Sequence, residues 1–272
     1  MSSPQPNYPN PPLSKAQTAN EAWYQFLTEG EPAFRHLYHL FGLVPSNPRC
    51  KVCNAPFQGV GAPLMRLMGK RRSGKNPRYC SACESYMATH RGGAEIELSM
   101  LFIDVRGSTT LAEKMNATEF SHLMNRFYEE TINVLIHADA LVDKLVGDEV
   151  TALFIPGYAG KEHARRAVEA AQALLRVVGY GQPDGPWVPV GVGVHTGIAW
   201  VGSIAGATTD FTALGDNVNV AARLASKAGP GEVLASEITC AAARVETAGL
   251  EKRDLELKGK SETVSVRVFR VE

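Results

Sequence analysis

From residue 95 onward the apolar pattern switches between a strand period of two and a helix period of 3.6 in a fixed order, and that order restricts the fold most. Residues 97–105 read as a strand that ends at Asp104, and 117–137 as an amphipathic helix. Residues 141–146 and 150–154 read as strands joined through Gly147-Asp148, a tight hairpin signal. A second helix follows over about 162–178, then strands over 188–196 and 199–201, a helix over 216–227, and later strands over 232–235 and 264–271. The core order β-α-β-β-α-β predicts an α+β, ferredoxin-like domain, with helices on one face of a mostly antiparallel sheet. There is no internal repeat.

The first 94 residues differ in kind. Residues 1–19 hold Pro4, Pro6, Pro9, Pro11 and Pro12 among Ser, Asn and Gln, which predicts a disordered tail. Trp23, Phe26, Leu27, Phe34, Leu37, Leu40 and Phe41 recur at helical intervals broken near Gly30-Glu31-Pro32, so two short helices are expected over 20–43. A cysteine-rich stretch, 44–90, follows, and Arg91-Gly92-Gly93-Ala94 is the expected boundary. The implied organisation is a tail (1–19), a helical and four-cysteine module (20–94) and a larger domain (95–272).

Charge divides the same way. The whole chain balances 28 Lys+Arg against 28 Asp+Glu, so it lacks the overall basic bias of a non-specific nucleic-acid binder. Residues 1–94 nevertheless carry eleven basic and four acidic residues, and the remainder is correspondingly acidic. No window approaches the roughly 20 apolar residues of a spanning helix, and the N-terminus lacks the apolar core of a secretion signal. A cytoplasmic protein without membrane partners is expected.

Four of the five cysteines form Cys50-x2-Cys53 and Cys80-x2-Cys83, with 26 residues between the pairs. In a reducing compartment this spacing reads as a metal site before it reads as disulfides. Tetrahedral Zn²⁺ in a ribbon or knuckle is the leading expectation, with an iron–sulfur cluster or redox-active pairs as alternatives. Arg66, Lys70, Arg71, Arg72, Lys75 and Arg78 lie between the pairs and can meet an anion, nucleic acid or the acidic domain, or simply face solvent. Cys240 stands apart and reads as a small buried apolar residue.

Two carboxylates sit where core strands end. Asp104 lies in Leu101-Phe102-Ile103-Asp104-Val105-Arg106-Gly107-Ser108-Thr109, a strand entering a Gly/Ser turn whose N–H groups can cradle phosphate. Asp148 lies at the tip of the hairpin Lys144-Leu145-Val146-Gly147-Asp148-Glu149. If the strands are neighbours, the two carboxylates converge as hard ligands for Mg²⁺. On spacing alone the alternative stands equally: Asp104 caps a turn and Asp148 completes one. Further on, Asn219 and Arg223 are four apart on one face of a helix, able to grip ribose and phosphate or to be solvated.

Together these elements resemble the class III nucleotidyl cyclases, the adenylate and guanylate cyclases, over about residues 95–271. The resemblance implies that Asp104 and Asp148 bind two Mg²⁺ or Mn²⁺ ions, with the Val105 carbonyl as a further ligand. It implies that the backbone of Arg106, Gly107, Ser108 and Thr109 holds the β- and γ-phosphates, that Asn219 orients the ribose and that Arg223 stabilises charge at the α-phosphate. Lys258, in Leu257-Lys258-Gly259-Lys260, takes the role of a lysine that contacts the terminal phosphates. The family's base-reading positions hold Lys144 and Thr212 here, the adenylate pattern; guanylate cyclases generally carry glutamate and cysteine. Lys144 can donate to adenine N1 and Thr212 can accept from the exocyclic amine.

The same resemblance implies an in-line attack of the ribose 3′-oxygen on the α-phosphorus of ATP, assisted by two metal ions. It implies a head-to-tail homodimer whose two sites each draw residues from both chains. Threonine at 212 is similar to a subgroup that often responds to bicarbonate. Gly191 departs from the family, where a basic residue is common, and His195 in its strand reads as a structural histidine. The alternatives to an adenylate cyclase are a guanylate cyclase and a non-catalytic nucleotide or metal sensor that keeps the fold for dimerisation.

Overall fold

The computed structural model describes residues 13–271 except 31, 45, 47, 75–76, 206–208 and 258–262. The N-terminal part holds α1 (Leu13–Thr28), α2 (Pro32–Gly42), α3 (Ala62–Leu67) and α4 (Ser81–Thr89). The core follows as β1 (Gly92–Val105), α5 (Ser108–Lys114), α6 (Ala117–His137), β2 (Leu141–Val146), β3 (Glu149–Phe154), α7 (Pro156–Ala159), α8 (His163–Val177) and β4 (Val190–Ala205). The chain closes with β5 (Thr209–Leu214), α9 (Asp216–Lys227), β6 (Glu232–Ser236), α10 (Glu237–Ala243), β7 (Glu251–Leu255) and β8 (Val264–Phe269).

The sheet runs β2-β3-β1-β4-β6-β8-β7, and β5 pairs with β4. Its first four strands are antiparallel and adopt the ferredoxin-like order expected from the sequence. β6 joins β4 in parallel and extends the sheet. Helix α6 starts where its sequence supplies a capping box: Asn116 Oδ1 accepts the Glu119 N–H at 2.9 Å, and Glu119 Oε2 accepts the Asn116 N–H at 3.1 Å.

Two differences from the sequence reading concern the strands. β4 is continuous where two strands were expected, because Gly197 and Ile198 stay paired with Leu98 and Glu97 of β1. The expected boundary glycines are instead the start of β1. A Cβ at Gly93 would lie 2.3 Å from the Val201 carbonyl, so glycine there permits close strand approach and is no linker. Of the expected tail, 1–12 lies outside the described residues and 13–19 belongs to α1.

β1 alternates between two cores. Leu101, Ile103 and Val105 pack with α6 and α8 residues such as Phe127, Leu135 and Leu174. Ile96, Leu98, Met100 and Phe102 face the other way, into a cluster with Trp23, Leu27, Tyr38, Phe57 and Tyr79 from the N-terminal part. Trp23 stacks on Phe211 of β5 at 5.9 Å between ring centroids, and the Tyr38 hydroxyl donates to the Ala140 carbonyl at 2.8 Å. The N-terminal part therefore shares a core with the second face of the sheet. That shared core brings the cysteines close to the site.

Candidate active site and four-cysteine cluster

Asp104 and Asp148 come together because β1 lies beside β3. Asp104 is paired with Glu149, and the Val105 N–H donates to the Asp148 carbonyl at 3.2 Å. Burial pushes the Asp104 carboxyl up, Arg106 pulls it down, and the neighbouring Asp148 charge pushes it up again. Glu149 is likewise raised, by burial and then by both aspartates. The Arg106 guanidinium forms an ion pair with Asp104 and also donates to the Ser226 carbonyl at 3.1 Å. Hard carboxylate oxygens gathered around one cation suit a divalent ion such as Mg²⁺ or Mn²⁺.

Beyond Asp104 the chain turns at Gly107, whose φ of 66° is the left-handed conformation that favours glycine, and enters α5 at Ser108. The Arg106 N–H is committed to the Pro189 carbonyl at 2.8 Å. By helix geometry, the N–H groups of the first turn of α5 lack intrahelical acceptors, so the backbone donors open to an anion begin after Arg106. Gly191 lies in β4 opposite Asp104, where a Cβ would sit 2.8 Å from the Ala228 carbonyl. The close end of α9 accounts for glycine where a basic residue is common.

Of the expected base-reading residues, Thr212 is bonded to a residue that the sequence reading missed. The β2–β3 ladder shifts register between Val142 and Lys144, which makes Asp143 the bulged residue. Lys144 is exposed, whereas Asp143 is buried. The Thr212 hydroxyl of β5 donates to Asp143 Oδ2 at 2.7 Å. On Asp143 Oδ1 sits Lys51 Nζ, at 2.7 Å, and the same ammonium lies 3.0 Å from Asp210 Oδ1. Period-two alternation turns Asp143 away from Lys144, and only the bulge signals otherwise.

Asn219 and Arg223 share one face of α9, as their spacing predicted, with Asn219 exposed and Arg223 half-buried. Arg223 Nη1 is buried and has no hydrogen-bond partner among the described residues. α9 approaches β4 through Gly193, where a Cβ would lie 2.2 Å from the Ala225 nitrogen. His195 lies within this packing, with Nδ1 2.8 Å from Ser236 Oγ and Nε2 3.0 Å from Asn217 Oδ1, as befits a structural histidine. Lys258 lies outside the described residues.

The four cysteines converge, with their Sγ atoms all within 4.8 Å of one another. A tetrahedral ion with sulfur ligands at about 2.3 Å needs sulfur–sulfur edges of about 3.8 Å. Cys53 and Cys80 are 3.7 Å apart, and this donor set fits a metal ion. Hydrogen bonds from Cys50, Cys53 and Cys83 hold the Cys80 thiol below its usual range, whereas burial pushes Cys50 up and hydrogen bonds with the other thiols push Cys83 up. Lys70 Nζ lies 3.8 Å from Cys53 Sγ. Cys240 is buried in the helical core and apart from this cluster, as expected.

The adenylate and guanylate cyclase catalytic domain matches residues 94–269, and the chain belongs to that family. An adenylate cyclase of Anabaena cylindrica is 29% identical over 182 residues, covering 62% of this chain and 36% of that protein. An uncharacterised protein of Mycobacterium tuberculosis is 31% identical over 155 residues, covering 56% of this chain and 28% of that protein. The chain's match thus spans about a third of the length of these curated relatives. Among solved structures, the adenylyl cyclase CyaB from P. aeruginosa superposes with a TM-score of 0.56 at 27% identity, covering 66% of this chain and 97% of that one. The guanylyl cyclase Cya2 gives 0.57 at 30% identity, with 66% and 95% covered. Among the described residues, no helix is long and apolar enough to cross a membrane.

Proposed function

We propose that the chain is an adenylate cyclase, converting ATP to 3′,5′-cyclic AMP and pyrophosphate. The observation that carries the base preference is the Thr212 hydroxyl donating to Asp143. A carboxylate ion-paired with Lys51 has no proton to give, so the only hydroxyl hydrogen of Thr212 points at Asp143. The Thr212 oxygen then faces a base as an acceptor. Adenine brings an amine donor to that position, whereas guanine brings a carbonyl acceptor.

Asp104 and Asp148 would hold two Mg²⁺ or Mn²⁺ ions, which supply charge neutralisation at the triphosphate and acidify the ribose 3′-hydroxyl. Lys144 donates to N1 of the base, and Asn219 orients the ribose. Arg223, whose buried Nη1 has no protein acceptor among the described residues, meets the charge that grows on the α-phosphate. Backbone donors of Gly107, Ser108 and Thr109 receive the outer phosphates, and Lys258 is assigned to the same end of the substrate. One chain carries both the two aspartates and the Lys144–Thr212 pair, sets that the cyclase resemblance divides between two copies. That supports a head-to-tail homodimer in which each site is completed by the other copy.

At the cysteines we assign Zn²⁺, because four sulfurs at tetrahedral spacing match its preferred ligands. Reduced cysteines and the lack of a spanning helix among the described residues suit a cytoplasmic protein. The experiment is product formation from ATP and GTP side by side, with Mg²⁺ or Mn²⁺, and with Asp104→Ala as control. Cyclic AMP that disappears in the variant is the expected result. Cyclic GMP instead would reverse the base assignment, and no product from dimeric, metal-loaded protein would favour a sensor. Adding bicarbonate to the same assay tests that regulator.

A further inference from the structure

Thr212 is 2% exposed, and residues of the four-cysteine module contact its partner Asp143 and the preceding Asp210 and Phe211. The Lys51 side chain, 4% exposed, lies between Asp143 and Asp210. Arg78 forms an ion pair with Asp210 at 3.5 Å and donates to the Asp143 carbonyl at 2.5 Å. The Tyr79 hydroxyl donates to Asp210 and accepts the Phe211 N–H at 3.0 Å. Three residues of the module thus hold Asp210 and Phe211, the two residues that precede Thr212, and its hydrogen-bond partner Asp143. The Thr212 side chain is buried while these contacts stand.

We propose that Lys51 and Arg78 form a cationic latch, set by the four-cysteine cluster, that closes the base-reading edge and must swing aside for nucleotide to bind. This inference rests on the base-reading role given to Thr212 above. Lys51 directly follows Cys50, and Arg78 and Tyr79 directly precede Cys80. The Lys51 N–H donates to the Arg78 carbonyl at 2.8 Å, joining the two strands of the latch. Whatever fixes the four sulfurs therefore fixes the latch, with no intervening linker.

The latch has somewhere to go. Lys51, Arg78, Asp143, Lys144 and Asp210 line a cavity of about 610 Å³ between the module and β2. Lys51 and Arg78 can rotate into this space while the core residues Val52, Phe57 and Tyr79 stay in place. Opening exposes charges that water solvates well, which offsets much of the ion-pair loss and makes the closed state reversible. A closed state lowers the apparent affinity for nucleotide by the fraction of molecules that are open.

The test is equilibrium binding of ATP to the full chain, wild type against Lys51→Met and Arg78→Met. Removing either cation should tighten ATP binding roughly 3- to 10-fold, the gain expected when a mostly closed population opens. Unchanged or weaker binding in folded variants would overturn the latch. Should Lys51→Met unfold, Arg78→Met carries the test, because its side chain is half exposed. Stripping Zn²⁺ from the wild type and restoring Mg²⁺ should also tighten binding, and should add little in Arg78→Met, because both act on the same element. A full additional gain in the variant would separate the metal from the latch and overturn their coupling. Product identity, measured in parallel, decides the adenylate assignment separately: a protein that makes only cyclic GMP refutes that assignment, and the same latch is then read with GTP.

Discussion

The Thr212 hydroxyl and the Asp143 carboxylate lie 2.7 Å apart, with the hydroxyl as donor. In the proposed function this one bond sets the polarity of the position assigned to the C6 substituent of a purine. Replacing Asp143 by Asn supplies an amide that can donate as well as accept, so Thr212 regains both roles. Asp143→Asn should therefore lower the preference for ATP over GTP by about tenfold, near 1.4 kcal/mol, the scale of one polar contact. The ratio of kcat/KM for the two nucleotides is the measurement. A variant that lost activity equally with both would reduce Asp143 to a structural role.

Arg223 makes a different kind of prediction because its Nη1 is buried without an acceptor. A guanidinium nitrogen held this way suits charge that appears only during reaction. Arg223→Ala should lower kcat by about 10²–10³-fold and leave ATP binding nearly unchanged, as for other groups that stabilise a developing anion. Thermal unfolding should move little, since no ion pair or side-chain hydrogen bond from Arg223 is seen among the described residues. A large rise in KM at constant kcat would place Arg223 in ground-state binding instead.

The sequence carried the core well where periodicity and turn chemistry agreed. The hairpin at Gly147-Asp148, the helix over 117–137 and the 219/223 pair all fall where the pattern placed them. Asp104 and Asp148 were legible because both stand at strand ends, and the ladder puts them together. Asp143 was not legible, because alternation along β2 points it away from Lys144 and a bulge is invisible in composition. Arg78 was read as part of a basic loop, and Lys51 and Tyr79 were given no role, since nothing local shows that they meet residues 65 to 159 positions away. Residues 209–214 were assigned no strand, because pairing with β4 and packing on Trp23, rather than their own pattern, make β5 a strand.

His163 connects pH to stability in the helical core. It is buried, with Nδ1 3.0 Å from Ser99 Oγ, and burial holds its pKa below the ordinary 6.5, against the pull of Glu97 and Glu162. The unfolded chain then binds a proton that the folded chain resists. Stability should be fully present above pH 6.5 and should fall as pH drops through 6.5 toward the lower folded value. Denaturant midpoints at pH 7.5 and 5.5 should show the loss, and His163→Asn should flatten it. Glu232, brought to about 2 mainly by Arg253, titrates below this window and does not confuse the reading.

The cysteine cluster should behave as a folding element and not as an ornament on the loop. Cys80 Sγ lies 3.7 Å from Cys53 Sγ and accepts the Cys83 N–H at 3.4 Å, so it anchors both the sulfur set and the start of α4. Cys80→Ser leaves three sulfurs and a weak fourth ligand. Because the energy of binding a structural metal is folding energy, the variant should hold well under one Zn²⁺ per chain and melt at lower temperature than wild type. The loss should be local at first. Tyr79 grips the Phe211 N–H from the residue next to Cys80, so amide exchange at Phe211 should speed up while β1 and β3 stay protected. Equal loss of protection across the whole sheet would mean that the module and the cyclase core unfold as one unit. Wild-type zinc content with unchanged exchange would remove the cluster from any part in the fold.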